Sequence, residues 1–139
     1  MIRTIFNLLL LLCMLGLPTT PAIGEDPIPS IEQSVEAWYT VREWVTDLAV
    51  PDDSPAVPIR HASGCSIILR QDGRVVGSGT ASSSDDRMLH RAADRALRAA
   101  LADPAMAAIP AELRDSLGGR LTVELELAGP MQPLIGDEP

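Results

Sequence analysis

Apolar residues recur at spacings of three and four along the first helix that the sequence predicts. They are Ile31, Val35, Trp38, Val41, Val45 and Leu48. Ser30 is a favourable N-cap, and Gln33 three residues later completes a capping box. The pattern therefore predicts a helix from residue 31 to about residue 49 with one apolar face. Trp44 lies beside that face. We interpret the two tryptophans of this helix as large core residues, with a ligand platform as the alternative.

A β-hairpin is predicted around Asp72-Gly73, because a type I′ turn needs positive φ at both central residues. Its strands are residues 65–71 and 74–80. A two-residue turn pairs Gln71 with Arg74, Leu69 with Val76, Ile67 with Ser78 and Cys65 with Thr80. In this register the core face holds Cys65, Ile67, Leu69 and Val76. Gly77 and Gly79 are expected on the other face, where they permit the close approach of another backbone or mark a bulge.

A second long helix is predicted from about residue 86 to residue 102, and Asp103-Pro104 ends it. One side of this helix is formed by Leu89, Ala92, Ala93, Ala96 and Ala100. So much alanine predicts close packing of the helix on a sheet. Residues 105–109 are expected to form a loop, followed by a short helix at 111–117.

A third strand is predicted at residues 121–128, where apolar residues alternate with Thr122, Glu124 and Glu126. The elements together predict an α+β fold. In it, a small antiparallel sheet, made of the hairpin and the third strand, is packed by the N-terminal helix and by the central Ala- and Arg-rich helix. The single domain is placed at residues 30–129, after a short lead at 25–29 and before a Pro-rich acidic tail at 130–139.

Residues 1–24 have the layout of a secretory signal peptide. Arg3 precedes an apolar run at 5–17, and small residues stand before a cleavage point at Glu25. The alternative is a retained membrane anchor, but the run is shorter than the roughly 20 residues that a bilayer span needs. We therefore expect export to the periplasm or the extracellular space.

Composition narrows the classes of partner. The 139 residues carry a net charge of −8, every basic residue is arginine, and loss of Arg3 would make the charge more negative. Phosphate backbones and anionic lipids repel such a chain, so we expect no nucleic-acid partner and no membrane association after cleavage. Cys13 lies in the signal segment, so the mature chain would keep only Cys65 and form no internal disulfide.

The order of the elements and five of their segments resemble the AMMECR1 domain family. The segments are residues 67–70, 72–73, 75–80, 102–104 and 121–130. The resemblance covers about residues 30–134 and implies an α+β fold. It carries no activity across, because Gly77 and Ser78 stand where the family has its motif cysteine, and because the family's C-terminal portion has no counterpart.

One pair of residues has the chemistry of a nucleophile and a base, namely Cys65 and His61. A thiolate catalyst needs an accessible cysteine of low pKa beside a positioned imidazole. The alternative is a buried structural cysteine. The spacing of His61, Cys65 and His90 fits no zinc motif. Asp85 and Asp86 with His90 are a weaker cation candidate, because capping and the helix dipole explain both carboxylates. We predict no metal and no cofactor.

The most distinctive predicted surface is the Arg face of the central helix, formed by Arg87, Arg91, Arg95 and Arg98. It offers a docking surface for an acidic protein or an anionic ligand. The alternative is a solvated helix face in which Asp94 pairs with Arg98 at i,i+4.

The sequence favours a non-catalytic binding or interaction module, because it shows no coherent set of acid, base, nucleophile and metal ligands. Two alternatives stay open. One is a small thiol-dependent or hydrolase-like enzyme that uses Cys65 and His61. The other is a degenerate AMMECR1-like remnant without a ligand. The sequence does not decide whether the chain is an enzyme, but it favours a protein without catalytic activity.

Overall fold

The computed structural model describes residues 28–82, 85–114 and 116–130. These residues form an α+β fold with a three-stranded antiparallel sheet, and an N-terminal and a central helix pack against it, as predicted. The predicted signal peptide at 1–24 and the tail after Pro130 lie outside the described residues.

Within the described residues, five helical segments and three strands follow one another. They are α1 (Ile31–Thr46), β1 (Gly64–Gln71), β2 (Arg74–Ala81), α2 (Met88–Ala102), α3 (Pro104–Ala107), α4 (Ala111–Arg114), a 3-10 helix (Gly118–Arg120) and β3 (Thr122–Ala128). The predicted loop at 105–109 is wrong in its first half, because Asp103 caps α3 by accepting from the backbone N of Ala105 at 2.9 Å. The predicted helix at 111–117 already ends at Arg114.

The hairpin turn is confirmed. Asp72 and Gly73 have φ values of 50° and 81°, and Gln71 faces Arg74 as expected. β1 is the central strand, with β2 on one side and β3 on the other, both antiparallel to it. β2 and β3 therefore form the two edges of the sheet.

The register beyond the turn differs from the prediction because β2 contains a bulge. Arg70 faces Val75 but Leu69 faces Gly77, so Val76 is an extra residue on β2. Every later pairing is shifted by one, and Ile67 faces Gly79. A shift of one residue moves side chains to the opposite face of a strand. The expectation that Gly77 and Gly79 lie on the outer face is therefore wrong, and both are buried on the inner face.

The two glycines lie under α2, the central helix. A Cβ at Gly77 would come within 2.8 Å of the Cβ of Ala100, and one at Gly79 would come within 2.6 Å of the backbone N of Ala96. The predicted close approach of another backbone is thus confirmed. The predicted alanine side of the helix is buried throughout, and Ala92, Ala96 and Ala100 are 0% exposed. Small residues on both surfaces let the helix lie directly on the sheet.

Only the part of α1 from Ala37 onward belongs to the core. Its buried residues are Ala37, Val41, Trp44 and Val45. The helix ends at Thr46 rather than near residue 49, and Leu48 has a φ of 53°. The predicted apolar face is wrong at its N-terminal end, where Ile31 is 83% and Val35 is 47% exposed. The sheet and α2 cover only part of the length of this helix.

Arg42 fixes α1 to the segment that leads into β3. Its guanidinium donates to the backbone oxygens of Gly118, Gly119 and Leu121 at 3.3, 2.9 and 2.6 Å. Gly118 itself lies against the backbone at the end of α1, because a Cβ there would overlap the carbonyl oxygens of Val45 and Thr46. These contacts set the position of α1 beside the β3 edge.

Candidate functional site

The Arg face of α2 is largely occupied by contacts within the chain. Arg91 pairs with Asp85, and Arg98 pairs with Asp94 at i,i+4, each at 2.9 Å. The predicted pairing of Asp94 with Arg98 is therefore confirmed. The Arg98 side chain remains 79% exposed.

The other two arginines of this face donate to backbone oxygens. Arg87 donates to the carbonyl of Asp52 at 3.1 Å, and Arg95 donates to the carbonyl of Thr80 on the β2 edge. Arg87, Arg91 and Arg95 thus contact segments outside α2, whereas Arg98 pairs within the helix. These structural roles account for the charges, and docking of an acidic partner or an anionic ligand at this face stays a prediction.

Cys65 is buried on the inner face of β1. It is 5% exposed, and its Sγ lies 3.7 Å from the carbonyl oxygen of Met88. Burial raises the pKa of the thiol from 9.0 to about 11, against the smaller opposing effects of a backbone hydrogen bond from Ala81 and the charge of Arg91. A thiol that is both covered and protonated at neutral pH is a poor nucleophile.

His61 lies in the segment before β1, is exposed and has a φ of 63°. It lines a cleft with Pro58, Ile59 and Pro130, whereas Cys65 lines a different one. The structure thus describes no shared cleft for the proposed nucleophile and base.

The candidate metal ligands have other partners. The Nε2 atom of His90 lies 3.1 Å from the carbonyl oxygen of Pro51, and its ring packs edge-on against Trp44. Asp85 accepts hydrogen bonds from the backbone N of Arg87 and from Arg91. Among the described residues, no group of three or more His, Cys, Asp or Glu side chains is placed to hold a metal ion.

An apolar groove between α1 and β3 is the most distinctive open surface of the described chain. It has a volume of about 580 Å³. Its lining consists of Ile28, Pro29, Ile31, Ser34, Val35, Trp38, Tyr39, Leu125, Leu127 and Gly129. We call this surface the apolar groove.

Large apolar side chains are exposed around this groove. Ile28, Ile31, Val35, Trp38 and Tyr39 are 62%, 83%, 47%, 37% and 65% exposed. Between about a third and four fifths of each of these residues therefore remains in contact with water. The rings of Trp38 and Tyr39 meet edge to face, with centroids 5.3 Å apart.

The backbone edge of β3 borders the groove. Trp38 donates from its indole Nε1 to the carbonyl oxygen of Val123 at 3.3 Å, so this carbonyl faces α1 and not β1. The carbonyl of Ala128 faces the β1 side, because it accepts from the backbone N of Ser63. Backbone groups alternate in direction along a strand. Leu125 and Leu127 therefore turn their N–H and C=O groups toward the open edge.

The outer face of β3 is acidic. Glu124 forms an ion pair with Arg70 of β1 at 2.6 Å, and the hydrogen bond from that guanidinium holds the pKa of Glu124 below its usual range. Glu126 is exposed and faces Ser66 of β1. Within the described parts of the chain, no ion pair involves Glu126.

Sequence reasoning missed the groove because it assigned the whole apolar face of the first helix to the core. Two signals pointed to it. Tyr39 adjoins Trp38 but lies off the apolar face, so the helix has more apolar surface than one buried side can cover. A second signal is Ile28, which extends the apolar residues beyond the N-cap.

No protein-family model matches this chain, and no match was found among curated proteins or solved structures. The resemblance to the AMMECR1 domain family therefore stays a prediction. Of the helices in the described ranges, none has the length and apolar character needed to cross a membrane.

Proposed function

We propose that the protein is a non-catalytic binding module and that its binding surface is the apolar groove between α1 and β3. The observation that carries this proposal is the exposure of five large apolar side chains around one concavity. The largest apolar patch on a typical monomer is about 300–600 Å² and is often functional. The exposed apolar residues at the groove are gathered around one concavity and are not scattered singly over the surface.

Trp38 also contacts β3 through its hydrogen bond to the carbonyl of Val123, but the fold does not need the other four side chains. The core is complete without them, because Ile67, Leu69, Leu89, Val41 and Val45 are each at most 1% exposed. Side chains that neither stabilise the core nor favour contact with water are best explained by a partner. The buried thiol of Cys65 argues against the alternative of a thiol-dependent enzyme. As the layout of residues 1–24 predicts, we propose that the module acts after export.

Site-specific photo-cross-linking tests the proposal. A benzophenone amino acid is introduced in place of Val35 in the groove, and separately in place of Arg98 on the Arg face, which is the matched exposed control. We expect adducts from position 35 in cells that produce the full chain, and we expect Ile31→Glu to abolish them. Adducts from position 98 alone would overturn the choice of surface, and adducts from neither position would overturn the binding module.

A further inference from the structure

We infer that the apolar groove takes an extended peptide as a fourth strand on the free edge of β3, and that this peptide alternates apolar residues with Lys or Arg. The inference rests on the proposed function, because it names the partner of the same groove. Three features of β3 carry it: its backbone, its inner face and its outer face.

The backbone of β3 offers an open pairing edge. The alternation that starts from the Val123 carbonyl directs the N–H and C=O groups of Leu125 and Leu127 away from β1 and toward the open edge. The carbonyl of Val123 is already taken by Trp38, which limits the open stretch to the C-terminal half of the strand. An unpaired strand edge is a template for an added strand, and main-chain hydrogen bonds then supply affinity.

The inner face of β3 sets the first half of the peptide pattern. Directly opposite residues of paired strands have their side chains on the same face. Peptide residues opposite Leu125 and Leu127 would therefore point into the apolar groove and contact Ile31 and Val35. Two such positions are about 7 Å apart along a strand, and one helical turn advances about 5.4 Å. Each inward side chain can thus meet one exposed apolar residue of α1.

The outer face of β3 sets the second half of the pattern. Peptide residues between the inward positions would lie beside Glu126 and Glu124. Glu124 is neutralised by Arg70, whereas Glu126 has only Ser66 opposite it on β1. A basic side chain next to Glu126 forms a favourable cross-strand pair. The net charge of −8 adds a longer-range attraction for a basic segment.

The same charges disfavour a second copy of the chain as the occupant. Pairing β3 with β3 of another copy would bring Glu124 and Glu126 of both copies together, and like charges directly opposite are destabilising. The backbone that follows β3 turns toward β1. The hydroxyl of Ser63 donates to the carbonyl of Gly129 at 2.6 Å, and Pro130 lines a cleft with Ile59. A separate basic and apolar peptide is therefore the occupant that fits.

Fluorescence anisotropy with three labelled ten-residue peptides tests the inference on the full chain. The first alternates Val and Lys, the second alternates Val and Glu, and the third has the composition of the first in two blocks. We expect the alternating Val/Lys peptide to bind at least about tenfold more tightly than either of the others, a difference of about 1.4 kcal/mol. Equal binding of the alternating and block peptides would overturn strand addition.

Glu126→Lys tests the charge pairing, and Glu112→Lys on α4 is its matched control with the same change in net charge. We expect Glu126→Lys to weaken binding of the Val/Lys peptide at least about fivefold and to strengthen binding of the Val/Glu peptide, because the charge at position 126 changes sign. Equal effects of the two variants would overturn the pairing with Glu126.

Failure of the inference can be told apart from failure of the proposed function. If position 35 cross-links in cells but the Val/Lys peptide binds no better than the block peptide, the groove binds a partner of another kind and the inference alone is wrong. If sedimentation shows a dimer that excludes the peptide, the groove holds a second copy and the inference is wrong. If Ile31→Glu folds normally but no longer binds the Val/Lys peptide, the inference that the peptide lies in the apolar groove is supported.

Discussion

Replacing Gly79 with alanine tests the close packing of α2 on β2. A Cβ at this position would overlap the carbonyl oxygen of Ala92, and it would lie 2.6 Å from the backbone N of Ala96 and 2.9 Å from the Cβ of Arg95. Optimal contacts between carbon atoms are about 3.5–4.0 Å. Two of the three neighbours are helix backbone atoms, so no rotamer change relieves the overlap and the whole helix has to move.

The expected loss in the free energy of unfolding is large for a single methyl group. Over-packing of a core typically costs about 1–3 kcal/mol. We expect about 3 kcal/mol, because α2 carries seven buried residues that shift together. The whole free energy of unfolding of a domain is about 5–15 kcal/mol. Backbone entropy acts in the opposite direction, since alanine is favoured over glycine in a strand by about 0.5–1 kcal/mol.

Urea unfolding followed by far-UV circular dichroism measures this loss. Gly119→Ala is the matched control, because a Cβ there meets nothing within 4 Å. With an m value of about 2 kcal/mol/M, the midpoint of Gly79→Ala should fall by about 1.5 M and that of Gly119→Ala by less than about 0.3 M. If the two variants agree within about 0.5 kcal/mol, which is the scatter of neutral surface substitutions, the bulged register and the close approach of α2 are refuted.

Three further predictions concern the core, the groove and the anchoring of α1, and they are made at Cys65, Ile31 and Arg42. In the folded protein at pH 8, Cys65 should react with iodoacetamide at least about 100-fold more slowly than after unfolding, because its pKa is raised from 9.0 to about 11. Equal rates by mass spectrometry would contradict a buried thiol. The raised pKa belongs to the folded state, so its stabilising effect is present below pH 9.0 and is lost as the pH rises to about 11. Between pH 9.0 and about 11, the free energy of unfolding of the wild type, measured in urea, should fall by about 2–3 kcal/mol relative to that of Cys65→Ala. Ile31→Glu should change the free energy of unfolding by less than about 0.5 kcal/mol, because Ile31 is 83% exposed, and a larger loss would assign it to the core. Arg42→Met should cost about 2 kcal/mol, because three backbone carbonyls lose a charged donor, and an unchanged melting temperature would refute that role.

Local signals predicted the hairpin turn and the packing side of α2. Asp72-Gly73 determines its own conformation, because few other residue pairs adopt positive φ twice in succession. The alanine side of α2 was equally readable, since a helix surface of small residues has to lie close to its neighbour. Both predictions depend on residues adjacent in sequence or on one helical face.

The position of the bulge and the groove were not predictable in this way because each depends on distant partners. Nothing local to Val76 shows that it is the extra residue; the shift places Gly77 and Gly79 under a helix that begins seven residues after β2 ends. Likewise, the periodicity of α1 shows which side is apolar but not how far along the helix the sheet extends. The N-terminal end of that side became the groove.

Hydrogen exchange at Leu125 and Leu127 tests the central claim most directly, because these amides form the proposed pairing edge. Exchange is followed by NMR in the full chain with and without a saturating concentration of the Val/Lys peptide. The amide of Ser78, on the opposite edge of the sheet, serves as the internal control. The account predicts at least about tenfold slower exchange at Leu125 and Leu127 and no change at Ser78. Unchanged exchange at both leucines while the peptide is bound would contradict it.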